Sequence, residues 1–410
     1  MKYINRHNRQ RQGNSPILWL LLLLLCLSAC SSADDNNVAT GQTEDTSKTK
    51  LYIYVYAPQD AQSSRAYEGD VDPITNESSV YSLQIWVFGH TSNKLLGHYA
   101  SSQPSSLSTA EPYEVIQMAI DETYAKTEAG SREHVDVYVA ANIKDSNCNV
   151  TLGENITQAQ LEAALLQKTT ADPFGMTSPV SIVPANVGLP MTGVVRDQPV
   201  TGTAPVLRLD NAGQVAKVQL IRTISKLRFA FSRETGGETL TINSIKLNTE
   251  MLPIAEYLFM ADEYDRHTCH IKTESGYDAT TPNLLSAPLT EIAENEDPVI
   301  YAWGYYDEDS PEAAPQAYEA RIETAAASGN LTQRYFYLRE SDKLITGEIK
   351  YQIGNDEEQT TTFTMVDAGG FSRNHVWTIY SYLAEAKLKV IVAEVAPWRQ
   401  TEQSYEFYNW

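Results

Sequence analysis

The sequence predicts a mainly all-β protein of two β-sandwich domains with one or a few short helices. Its 24 tyrosines stand beside many Val, Ile and Thr residues, a composition that favours strands. Apolar runs with a period of two are separated by polar, turn-rich stretches, and only one segment reads as a clear helix. A chain of 410 residues is long enough for two domains, each with its own core.

The chain opens with Lys2, Arg6, Arg9 and Arg11, then an apolar run at 17–27 that ends in Leu27-Ser28-Ala29-Cys30. A basic start, a stretch too short to span a bilayer comfortably and small residues at the junction make an export signal. The cysteine turns that junction into a lipobox. Residues 1–29 read as a lipoprotein signal peptide and Cys30 as the lipidated, palmitate-bearing residue, the plain alternative being a signal peptide without lipid. Acyl chains contribute about 0.8 kcal/mol per buried methylene, so several of them anchor a protein without a membrane-spanning helix.

The first strand lies at 51–57, LYIYVYA. Leu51, Ile53 and Val55 alternate with Tyr52, Tyr54 and Tyr56, which puts three aliphatics on one face and three aromatics on the other, so both faces ask for cover. Pro58 ends the ladder, and residues 59–64 carry no apolar side chain larger than alanine. Arg65, alone between Arg11 and Arg132, stands in this polar tether. Exposed tethers are where proteases cut, so a cut between Arg65 and Ala66 makes Leu51, Ile53 and Val55 part of a removable strand.

Further strands are read at 81–88, 95–99, 113–120 and 135–141. The clear helix is 158–167, with Thr157 as N-cap and Leu161, Leu165 and Leu166 as its apolar stripe. A Pro-, Gly- and Asp-rich passage at 190–211 separates the halves, placing the boundary near 205–213. Strands follow at 214–232, 239–247, 299–306, 334–338, 344–351, 360–366 and 376–395. Pro397 interrupts the ladder after the last of these. The end of the chain, SYEFYNW, forms strand again, with Tyr405 and Phe407 on one face and Tyr408 and Trp410 on the other. This tail either leaves its own domain as a donor strand or finishes it as an edge strand.

Taken in order, these stretches resemble the FimA-like fimbrillins of Bacteroidales, the subunits of type V pili. The resemblance rests on the lipobox, the early strand, the linker with Arg-Ala, YSLQIWVF at 81–88, LPMTG at 189–193, VQLIRTISKLRFAF at 218–231, RNHVWTIYSYL at 373–383 and APW at 396–398 before the final Trp410. SSADDNN after Cys30 is similar to the Ser/Asp-rich signals that send Bacteroidota lipoproteins to the outer face of the outer membrane. The resemblance implies two transthyretin-like β-sandwich domains at 66–208 and 209–398, a lipid-anchored propeptide at 30–65 and a donor-strand tail at 399–410. It also implies a precursor in the cell outer membrane, a cut after Arg65 by an Arg-specific surface protease, and replacement of the lost strand by a neighbour's C-terminal strand. The partners implied are other fimbrial subunits and, through adhesion, host or bacterial surface ligands. A stalk subunit fits these features, with a tip or accessory adhesin and a surface glycan-binding lipoprotein as alternatives.

A formal net charge of −21 without a basic run argues against nucleic acid, which needs clustered cations. Once Cys26 leaves and Cys30 carries lipid, Cys148 and Cys269 remain, either paired or as free thiols. HTCH at 267–270 lacks a second ligand cluster, so no metal is expected. LPMTG matches a sorting pattern, but it is internal and no apolar helix follows. The four sequons at Asn76, Asn149, Asn155 and Asn330 suggest surface loops. No nucleophile elbow, phosphate loop, dinucleotide fingerprint or zinc-protease motif is present, so neither catalytic residues nor cofactors are expected.

Overall fold

The structure, a computed structural model, describes residues 48–56, 77–102, 113–167, 187–211, 214–261, 269–280, 283–296, 324–365, 371–384 and 386–397. It is built almost wholly of β-sheet. The first twelve strands are β1 (Lys50–Tyr56), β2 (Leu83–Gly89), β3 (Leu95–Ser101), β4 (Tyr113–Ala119), β5 (Val135–Ala141), β6 (Leu165–Gln167), β7 (Met191–Gln198), β8 (Val200–Thr203), β9 (Val206–Asn211), β10 (Gln214–Val215), β11 (Lys217–Gln219) and β12 (Ile221–Arg222). The rest are β13 (Ile224–Glu234), β14 (Leu240–Leu247), β15 (Ala255–Tyr257), β16 (Glu294–Asn295), β17 (Thr332–Arg339), β18 (Thr346–Ile353), β19 (Gln359–Thr364), β20 (His375–Ala384) and β21 (Lys387–Pro397).

Two pairs of sheets form. In the first pair, a sheet of β10, β9, β1 and β11, joined by β4 and β8, faces a sheet ordered β12-β7-β5-β2-β3. Inward residues of both sheets make one core, among them Ile53, Val55, Ile85, Val137 and Val218. The second sheet is covered on both faces. Trp86, Phe88 and Tyr138 on its outer side pack under Leu161, Leu258 and Phe259, which explains why β5 is buried at every position. Asp136 on that strand is tolerated because it accepts from His90 Nδ1 at 2.8 Å, Gln158 Nε2 at 2.9 Å and the Asp197 amide at 2.9 Å.

In the second pair, β13 is central, antiparallel to β17 and parallel to β20, with β21 beyond. This sheet packs on the sheet β14-β18-β19 through Leu227, Phe229, Phe336 and Ile349. Polar residues on the other face of β13 are buried and paired: Ser232 meets the Tyr380 hydroxyl at 2.7 Å and Arg228 Nε donates to Thr378 Oγ1 at 3.0 Å.

Several sequence expectations change in detail. The helix expected at 158–167 is only α2 (Gln158–Glu162), closed by a capping box between Thr157 and Gln160. Leu165 and Leu166 belong instead to β6, which pairs with β15 far along the chain. A helix the pattern did not announce, α1 (Glu122–Lys126), follows β4 with Asp121 as its N-cap. The long strand expected at 376–395 is a hairpin of β20 and β21, with Ala386 in the left-handed region at φ 55° at the turn. Pro397 stays in register opposite His375, so the ladder runs to that residue. β11 and β12 join the first pair of sheets, and β13 opens the second. LPMTG opens β7, where a Cβ on Gly193 would come within 2.7 Å of the Gln219 carbonyl; the glycine lets β7 pass close to β11. The strand expected at 299–306 lies outside the described residues.

Candidate functional site: the bed of the first strand

β1 lies inside its sheet. One edge pairs antiparallel with β4 over the whole strand, from Lys50 opposite Ala119 to Tyr56 opposite Tyr113. The other edge is shared by two parallel neighbours, β9 along residues 50–52 and β11 along residues 54–56. Because the period is two, Leu51, Ile53 and Val55 all point into the first core, and each is fully buried. Without β1, this region would be an apolar trough between two rows of unpaired backbone groups.

The aromatic face is less enclosed than both-face hydrophobicity suggested. Tyr52, Tyr54 and Tyr56 are half-buried. Tyr113, 45% exposed, stacks its ring on Tyr54 at 6.1 Å and on Tyr56 at 5.3 Å, and Lys217 Nζ lies 5.0 Å from the Tyr56 ring centre. A stacked pair and a cation over a ring hold a half-wet strand face without sealing it.

Both ends of the strand are fixed. Ahead of it, the buried Thr49 donates its amide to Glu122 Oε1 at 2.8 Å, which holds the Glu122 carboxyl below its ordinary value. Behind it, the Tyr56 carbonyl accepts from the Leu220 amide at 2.8 Å. Two residues further, Arg222 Nε donates to the Glu77 carbonyl at 3.0 Å. The segment 57–76, which contains Arg65, connects these two points.

Downstream of the tether the chain is pinned at once. The Glu77 carboxylate, 1% exposed, accepts from Lys226 Nζ at 2.7 Å and from the Tyr337 hydroxyl, while Arg222 Nη2 donates to Ser78 Oγ at 2.9 Å. Burial, with the Glu77 charge behind it, raises the Tyr337 phenol well above its ordinary value. Sequence reasoning missed Glu77, Lys226 and Tyr337 because their partners are remote in the chain. It also missed Tyr113, although a tyrosine starting an alternating run opposite a tyrosine-rich strand is a signal of cross-strand stacking.

Of the residues expected to matter, Cys30, Arg65, Ala66, Tyr405, Phe407, Tyr408 and Trp410 lie outside the described residues. Cys148 and Cys269 are half-buried and not joined in a disulfide, and the Cys269 thiol donates to the Ser341 carbonyl at 3.1 Å. Burial pushes the Cys148 thiol up to about 12 and Cys269 up as well. Among the described residues no group of His, Cys, Asp and Glu is placed to hold a metal ion, and no helix there is long and apolar enough to cross a membrane.

Neither the protein-family models nor the curated proteins give a match. Solved structures do. A candidate cell adhesion protein from Parabacteroides distasonis aligns with a TM-score of 0.48 at 15% identity, over 87% of this chain and 99% of that one. The tip fimbrial protein Mfa3 from Porphyromonas gingivalis, with a C-terminal truncation, aligns with a TM-score of 0.46 at 12% identity, over 86% and 100%. A candidate cell adhesion protein from Bacteroides eggerthii aligns with a TM-score of 0.47 at 13% identity, over 86% and 96%.

Proposed function

We propose that this chain is a subunit of a cell-surface fimbria, exported as a lipoprotein on Cys30, cut after Arg65 and polymerised by exchanging its first strand for a strand of the next copy. The observation that carries this reading is the place of β1: buried on one face, laddered on both edges, and tied to the rest of the fold by the segment that contains Arg65. One cut there separates a structural strand from everything downstream. Losing Leu51, Ile53 and Val55 uncovers apolar surface worth ~1.5 to 3 kcal/mol per side chain. The open edges on β4, β9 and β11 add a row of donors and acceptors. Only another strand answers both deficits.

In this reading the replacement is the tail 399–410 of a second copy, bringing Tyr405, Phe407, Tyr408 and Trp410. A donor and a bed on the same molecule form a heterologous contact, which propagates into a polymer. A chain with both is suited to a stalk, and the acidic surface to the cell exterior, where the fimbria supports adhesion.

The test is the N-terminal residue of the protein recovered from the cell surface, together with its behaviour on a gel. Ala66 at the start of heat-labile, detergent-resistant ladders is expected. Polymer that still begins at lipidated Cys30 would falsify the proposal.

A further inference from the structure

The core that holds β1 does not stop at the first pair of sheets. Leu51, Ile53 and Val55 share it with Val218 and Leu220, then with Ile224 on β13 and Tyr337 on β17, and Val376 on β20 packs against it. Val218 stands opposite Val55, and the Leu220 amide donates to the Tyr56 carbonyl at 2.8 Å, so buried contacts run unbroken from the bed to β13. In the second pair, Tyr337, Lys226, Val376 and Ala396 are successive neighbours across β17, β13, β20 and β21. The row that meets the core of the first strand is thus also the row at which β21 ends, since the next pair is His375 with Pro397. A register shift between Val376 and Thr378 separates these last two pairs from the body of the hairpin, which runs from Thr378–Ala393 to Ala384–Lys387. Such a bulge interrupts the ladder, so the parts on either side of it can open separately.

We infer that a filled bed holds the end of β21 shut, so that losing β1 opens the pairs His375–Pro397 and Val376–Ala396 while the rest of the hairpin stays closed. This rests on the strand-exchange reading above and adds a coupling to it. One cut then uncovers the bed and releases the chain beyond residue 397, which makes acceptor and donor available together. The cause is packing. Three side chains that leave a close-packed core take contacts away from Ile224, Tyr337 and Val376, and the row they belong to shifts. A coupling of this kind is reciprocal: fixing the end of β21 also holds β1 in its bed.

The experiment is hydrogen exchange by mass spectrometry on the full chain, uncut and after cutting at Arg65 with an Arg-specific protease, with loss of β1 read from residues 113–119 of β4. In the emptied monomer, exchange at residues 394–396 is expected to rise on the order of tenfold while residues 387–392 stay unchanged. Adding a synthetic peptide of residues 48–58 should reverse the rise. Ile53→Asp, which puts a carboxylate into the core and empties the bed without a cut, should give the same rise. In the reciprocal direction, Val376→Cys with Ala396→Cys, opposite each other in the ladder, should slow release of β1 from the cut chain about tenfold when oxidised and not when reduced. An emptied bed with unchanged exchange at 394–396, a rise spread evenly over 387–396, or release of β1 that the disulfide does not slow overturns the inference. Polymerisation of the cut sample is scored separately. Polymer from a chain whose β21 end stays shut removes the coupling alone. A cut chain that keeps β1 or never polymerises removes the strand-exchange reading, and Ile53→Asp then decides the coupling.

Discussion

Lys226 on β13 and Glu77, just ahead of β2, form an ion pair sealed from water, Nζ to Oε1 at 2.7 Å, with 6% and 1% of their side chains exposed. The Tyr337 hydroxyl reaches the same Glu77 oxygen, and the Lys226 ammonium lies 4.3 Å from the Tyr335 ring centre. The chain that emerges from the tether is thus tied directly to the central strand of the second pair of sheets.

Breaking that pair from one side leaves a buried charge without its partner. Glu77→Ala is expected to destabilise the protein by about 3 to 5 kcal/mol. Glu77→Gln keeps an acceptor for Tyr337 and should cost less. Urea unfolding of both variants checks this, and equal stability of Glu77→Ala and the parent protein would remove the pin.

His90 makes stability depend on pH. Its hydrogen bond to the buried Asp136 carboxylate raises its pKa above 6.5; burial opposes this, and the charges of Asp136, Asp197 and Glu133 support it. A raised folded-state pKa means that the contribution is complete below 6.5 and fades as pH rises through the higher folded value. The stability gap between the parent and His90→Gln should therefore be wider at pH 5.5 than at pH 9. A gap that is constant or widens towards pH 9 is the contrary result.

Ile53 sits at the middle of β1, fully buried, at the position where the second edge passes from β9 to β11. Ile53→Ala should cost about 2 to 5 kcal/mol in the uncut chain, as large-to-small core changes do. The same change should speed loss of β1 from the cut chain. Thermal melts and the release rate of the strand give the two readings.

Arg65→Ala should leave a folded, lipid-anchored monomer, because the strand stays in its bed. Deleting residues 404–410 should leave a stable, cleavable monomer that no longer polymerises. Unfolding of the truncated monomer, or unimpaired polymerisation, would count against the tail as donor.

Cys148 and Cys269 should be slow towards iodoacetamide at pH 8 in the native protein and fast in urea, since burial raises both thiols and the thiolate is the reactive form. Rapid native labelling would contradict their placement.

Much of the β architecture was legible from alternation. β2, β4, β5, β14, β17, β18 and β19 fall within a few residues of the apolar runs that announced them. The failures have separate causes. Leu165 and Leu166 fit a helical stripe as well as a strand, and only their pairing with β15 decides between them. The β20–β21 turn carries Ala386 and no Gly, Pro or Asn, so the hairpin read as one strand. α1 is too short for a periodic signal, although Asp121 marked its start.

By itself the sequence determined that a strand runs through residues 51–57, close to the observed β1, and that Leu51, Ile53 and Val55 share one face, because a period of two fixes faces locally. Only the tertiary structure decided what lies on either edge: β4 along the whole strand, β9 and β11 dividing the other side, and Glu77 pinned beyond the tether. Those partners are set by loop closure and by packing between residues far apart in the chain. Alternation, which is the same in every register and beside every neighbour, carries no record of them.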